Sequence, residues 1–123
     1  MIKQAIIVRK DMNLKRKEII SQATKASIKF IVENNESERG GQLLVNLSSD
    51  ETAWLTGSFL QDIMFVETKE QLENIMFKAE ILGIEVYPVF SKKCDDMSET
   101  SCIALGPDEP EIINKLIHGL KSL

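Results

Sequence analysis

Glu18, Gln22, Lys25 and Lys29 stand four, three and four residues apart, so at 100° per residue their side chains share one face of a helix. One carboxylate, one amide and two cations suit a phosphate with a ribose or base edge better than an apolar ligand. Arg9-Lys10-Asp11 closes an apolar run just before that segment. Ligands of α/β sheets favour the crevice outside the carboxyl ends of the strands, so both groups are expected to border one cavity. The competing reading is a solvated helix face that is merely basic, because lysines are mostly exposed.

Other residues carry weaker signals. Trp54 precedes Gly57-Ser58 and either stacks on a base or closes the core. Asp95, Asp96 and Glu99 have the chemistry to hold Mg²⁺, yet carboxylates on a polar loop are usually a solvated face. His118 is the single histidine and sits at the end of a helical stripe, where pairing with carbonyls or water is the plainer role. Cys94 and Cys102, with seven residues between them, make neither a disulfide scaffold nor a zinc motif. No metal and no cofactor are expected. Gly40-Gly41 and Gly57-Ser58 are too sparse to cradle phosphate and read as turns.

The elements that must position these groups follow from hydrophobic periodicity. Lys3 to Arg9 is nearly all apolar inside and predicts a strand buried on both faces. Ile19, Ile20, Ala23, Ala26, Phe30 and Ile31 then recur at helical spacing as an inward stripe. Asn34 to Gly41 reads as a loop, with a weak element at Leu43-Leu44-Val45. A short helix is predicted from Ser49 to Leu55 and a strand from Phe59 to Val66. Thr68 with Gln71 has capping-box spacing, opening a helix that runs through Leu72, Ile75, Met76, Ala79 and Leu82 to Gly83. Met64, Phe65, Met76 and Phe77 are expected to fill the core. Ile84 to Phe90 predicts a third strand, Ser91 to Glu99 a polar loop and Ser101 to Leu105 a fourth strand. Gly106-Pro107-Asp108 is expected to turn into a last helix with Ile112, Ile113, Leu116, Ile117 and Leu120 inward. Strands alternating with helices indicate layered α/β architecture.

With 123 residues, 43% of them hydrophobic, the chain suits a single domain spanning 1–123. No stretch approaches the roughly 18 apolar residues of a membrane span, and the first residues lack the features of a secretory leader. A reduced, cytoplasmic setting without membrane contact is expected. The formal charge of −4 hides an asymmetry. Residues 1–30 hold eight Lys or Arg against two acids, +6, while the other 93 hold seven against seventeen, −10. Such a basic end can hold a phosphate-bearing ligand locally, since fields act over a Debye length of about 10 Å. A basic helix balancing an acidic one is the blander account.

Five strings in order resemble the second peptidyl-tRNA hydrolase family, the archaeal and eukaryotic type that also has short versions in bacterial viruses. They are Ile7 to Leu14 (IVRKDMNL) with Ser21-Gln22, Trp54 to Phe59 (WLTGSF), Lys78 to Ile84 (KAEILGI), Cys102 to Pro107 (CIALGP) and Ile113 to Lys121 (INKLIHGLK). The resemblance implies a three-layer α/β sandwich, a mixed four-stranded sheet with helices on both faces, and a homodimer. It also implies departures where the chemistry belongs. The family's Lys four before the Gln is Glu18 here, the Gln is Gln22, and the His three after it is Lys25. The family's Asp-x-Gly-x-Thr loop falls on Lys92-Lys93-Cys94-Asp95-Asp96, without its Gly and Thr. Lys17 or Arg16, and Asp95 or Asp96, stand near the lost groups but out of register, and one helical position turns a side chain by about 100°.

Ester hydrolysis needs a positioned, deprotonated water and donors for the developing oxyanion. Glu18 puts a negative charge where a cation belongs, and Lys25 shuttles protons poorly at neutral pH. The expectation is a degenerate catalytic site, Glu18 and Lys25, in a pocket that still binds a nucleotide-type ligand. The expected ligand is a tRNA 3′ end or a small nucleotide, and sequestration of a signalling nucleotide is the specific form of this reading in the viral setting. Its expected contacts are Arg9, Lys10, Asp11, Gln22, Lys25, Trp54, Lys92 and Lys93. The alternatives are an active peptidyl-tRNA hydrolase with Glu18 as base and Lys25 as electrophile, and a protein-interaction module.

Overall fold

Strand β1 (Lys3–Arg9) shows why the apolar N-terminal run is compulsory, because both of its faces are covered. The computed structural model describes residues 1–92 and 98–123, with backbone alone at 36–39, 43, 92 and 98. Ala5 and Ile7 join Leu72, Ile75, Ala79, Ile113 and Leu116 in one apolar cluster. Ile6 and Val8 point the other way and pack with Ala26, Phe30, Trp54 and Tyr87. Period-two alternation thus feeds two cores from one strand, and each fully buried aliphatic side chain contributes about 1.5–3 kcal/mol.

After β1 a tight turn, with Asn13 at φ 51°, leads into α1 (Arg16–Glu33). The hairpin β2 (Asn35–Arg39) and β3 (Gln42–Val45) follows, then α2 (Ser49–Ala53) and a π-helical turn at Trp54–Ser58. The rest of the order is β4 (Leu60–Val66), α3 (Lys69–Ile81), β5 (Val86–Lys92), β6 (Ser98–Asp108), α4 (Pro110–Ile117) and β7 (Lys121–Ser122). The main sheet runs β5-β6-β1-β4-β7, with β1 and β4 parallel and the other neighbours antiparallel. β1 lies at its centre, as its apolar sequence requires.

Among the described residues the mixed sheet has five strands rather than the four expected. The extra one, β7, pairs only Lys121 and Ser122 with β4, too short a run to leave a periodic signal. The expected loop at Asn34–Gly41 is instead the first strand of a hairpin, held by backbone pairing with Gln42–Val45. Its polar sequence concealed it. Gly106-Pro107-Asp108 does not turn out of the sheet, because β6 continues to Asp108, which pairs with Lys3. Gly106 takes φ +83° there, and a Cβ would meet the Asp108 nitrogen at 2.7 Å, so only glycine fits. The polar stretch from Ser91 is likewise shorter than expected, since β5 reaches Lys92 and β6 starts at Ser98. The last helix ends at Ile117, with His118 as its exposed cap, so Leu120 lies beyond it.

Helix α1 turns the expected stripe inward, with Ala26 and Phe30 in the core and Ile19, Ala23 and Ile31 packed against it; Ile20 is the exception. Gln22 is buried with Ala26 and Phe30, while Ile20 (59% exposed), Ile28 and Val32 face outward. In α3 the side chain of Thr68 accepts from the Gln71 N–H, and Gln71 accepts from the Glu67 N–H. Phe77, expected in the core, is 62% exposed on this helix, and Met76 is only partly buried.

Candidate functional site

Two cationic regions line separate grooves: Arg9 and Lys10 border one with Leu14, Ile19 and Phe65, and the other runs along α1. In the first, Arg9 is only 6% exposed and each of its three guanidinium nitrogens donates a hydrogen bond. Nε and Nη2 each donate to an Asp11 carboxylate oxygen at 2.9 Å, and Nη1 donates to the Thr100 carbonyl at 3.1 Å. Glu99 adds a contact at 3.8 Å and is itself 3.6 Å from Lys69. The bidentate bond from Arg9 holds the Asp11 carboxyl below its ordinary range, and the same bond raises the already high value of Arg9. Arg9 and Asp11, expected to hold a ligand, are therefore consumed in an internal ion pair. Lys10 lies over the Phe65 ring at 4.6 Å from its centroid.

The second region runs along the first turns of α1. Lys15, Lys17, Glu18, Ser21, Gln22 and Lys25 line an open groove of about 420 Å³. Among the described residues no ion pair engages Lys15, Lys17 or Lys25. Gln22 is 8% exposed at the base, and its Oε1 accepts a hydrogen bond from the hydroxyl of Ser101 on β6. Ser101 is fully buried and sits 3.3 Å from the Val89 carbonyl. With its oxygen engaged, the Gln22 amide nitrogen is left as the donor. Glu18 has a structural task, since its Oε1 accepts from the Lys15 N–H at 3.3 Å and satisfies one of the orphan donors of the helix start.

The remaining expected contacts fall elsewhere. Lys29 leaves the set, because its Nζ donates to the Pro88 carbonyl at 2.6 Å and lies over Phe90. Of the two roles open to Trp54, its surroundings match core closure. It is 1% exposed, donates through Nε1 to the Leu60 carbonyl at 2.7 Å, stacks on Phe59 at 4.2 Å and meets Phe30 edge-on at 5.8 Å. Both of its faces are occupied. Lys92 closes β5, but its side chain is outside the description, and Lys93, Cys94, Asp95 and Asp96 lie outside the described residues altogether. Cys102 is no nucleophile, because burial pushes its thiol up to about 12.

Of the expected contacts, the structure therefore brings Glu18, Gln22 and Lys25 together and adds Lys15, Lys17 and Ser21. Lys15 and Lys17 were visible as part of the basic N-terminal stretch. Ser101 left no local signal, because it meets Gln22 across 79 residues of sequence.

The family model for peptidyl-tRNA hydrolase PTH2 matches residues 2–123. No curated protein matches the chain. The chain belongs to the PTH2 peptidyl-tRNA hydrolase family.

Proposed function

We propose that this PTH2 family member binds the 3′ end of a tRNA, or a small nucleotide of similar chemistry, in the groove along α1 and hydrolyses peptidyl-tRNA slowly or not at all. The observation that carries the reading is the pairing pattern: Lys15, Lys17 and Lys25 line one groove with Gln22 and have no ion pair among the described residues, whereas Arg9 is paired with Asp11. Cations at those positions meet phosphate oxygens, and the Gln22 amide meets a base edge or ribose hydroxyl.

Weak catalysis follows from the same residues. Where the family carries a Lys, Glu18 spends its carboxylate on the helix start, and a carboxylate cannot stabilise an oxyanion. Lys25 stands where the family carries a His and offers a charge rather than a proton relay. The resemblance extends the reading to a cytoplasmic homodimer with a three-layer arrangement, of the short kind known from bacterial viruses.

Calorimetric titration with deacylated tRNA and adenine nucleotides, beside an assay of peptidyl-tRNA turnover, tests the proposal. Binding below millimolar that weakens in Lys25→Ala and Gln22→Ala supports it. No binding in that panel, or binding indifferent to both substitutions, overturns the ligand assignment. Turnover within tenfold of an intact family member assigns Glu18 and Lys25 to a rewired hydrolase instead.

A further inference from the structure

Far from the α1 groove, helix α3 leaves an apolar surface bare. Phe77 is 62% exposed, Ile81 68% and Leu82 45%, on the outer side and end of the helix. Between α3 and β5 lies a groove of about 440 Å³ with Met76, Ile84 and Val86 among its apolar lining. Three carboxylates, Glu73, Glu80 and Glu85, also line it; Glu73 is 3.8 Å from Lys69 on the same helix, and none of the lining residues is itself cationic. A depression of that size is typical of a binding cleft, and contiguous exposed apolar surface rimmed by charge marks contact with another molecule.

We propose that this groove docks a cationic amphipathic helix of another protein. The apolar lining takes the hydrophobic stripe of such a helix, and the three glutamates face Lys or Arg on either side of it. A strand is the poorer occupant although β5 lies at the edge of the sheet. Pro88, midway along β5, has no N–H to offer, and its carbonyl already accepts from Lys29. The centre of that edge is thus closed to strand addition. An anionic membrane is disfavoured by the same carboxylates.

A synthetic helix of about 15 residues built from Leu and Lys serves as the probe, titrated into the ¹⁵N-labelled full chain. A scrambled peptide without an apolar stripe and a Leu/Glu helix are the controls. The expected result is amide shift changes confined to α3 and residues 84–86. Affinity should fall at least about tenfold in Glu73→Lys/Glu80→Lys, and that variant should gain binding to the Leu/Glu helix. Phe77→Ser should weaken both interactions. Both glutamates and Phe77 are exposed, so the variants are expected to fold, which the unbound spectrum checks directly. Equal binding of the scrambled peptide, shifts mapping elsewhere, or affinity unchanged by charge reversal overturns the proposal. Self-association of the chain that disappears in these variants also overturns it, assigning the groove to a second copy.

Discussion

Arg9 and Lys25 are both cations of the basic first 30 residues, and their neighbours give them opposite surroundings. Arg9 is buried and meets Asp11, Glu99 and the Thr100 carbonyl, so its charge is spent inside the protein. Lys25 and its companions Lys15 and Lys17 line an open groove without an ion pair among the described residues. The first region joins the turn after β1 to the start of β6; the second leaves its cations facing an open groove. Position near a strand end is therefore no guide to function, and what decides is whether the fold returns a carboxylate to the cation. Thr100, which receives Arg9, lies 91 residues further along the chain.

The largest effect expected of this contrast is in catalysis. Peptidyl-tRNA turnover should be at least about 100-fold below that of an intact family member, because positioned acid–base and oxyanion groups each contribute about that much. Single-turnover assays measure it, and Glu18→Lys with Lys25→His should recover part of the rate. Next comes stability. Asp11→Ala should cost about 1–2 kcal/mol in urea unfolding by taking the two-pronged carboxylate from a guanidinium that keeps only Thr100 and Glu99, whereas Lys25→Ala should stay within about 0.5 kcal/mol. Equal losses would erase the distinction between the two regions.

A smaller effect belongs to the link between Gln22 and β6. Ser101→Ala should cost about 1 kcal/mol for a lost hydrogen bond while weakening ligand binding, and Ser101→Thr should restore the bond. If only stability moves, Gln22 does not read the ligand. Smallest is a pH effect. The depressed Asp11 value means that its contribution is complete above its ordinary value of 3.8 and is lost as pH falls through the lower folded value. Thermal unfolding below pH 4 should therefore be less pH-dependent in Asp11→Asn than in the parent, and unchanged in Lys25→Ala.

How much of this was legible in the chain varies with range. β1 declared itself as a two-faced strand because its apolar run is local, and α3 did so through Thr68, Gln71 and a period of 3.6. β2 and β7 did not, since one is polar throughout and the other only two residues long. In α1 the apolar stripe was legible except at Ile20, which faces outward, while the burial of Gln22 was not, because it depends on Ser101 from a distant strand. Gln22 and Lys25 were singled out through the family resemblance and helical spacing. The roles of Arg9, Asp11 and Trp54 depended on Thr100, Glu99, Phe30 and Leu60, which no local pattern connects to them.

The central claim is that the lysines of the α1 groove, and not the cation at the strand end, bind the nucleic acid. Its most direct test is the salt dependence of deacylated-tRNA binding by the parent chain, by Lys15→Ala/Lys17→Ala/Lys25→Ala, and by Arg9→Met. Each phosphate contact to a single strand contributes a slope of about 0.7 in log affinity against log salt, so the triple substitution should flatten the slope by about 2. Arg9→Met, compared at a temperature where it remains folded, should leave the slope unchanged. A triple variant that keeps the parental slope, or a slope that falls with Arg9→Met instead, would contradict the account.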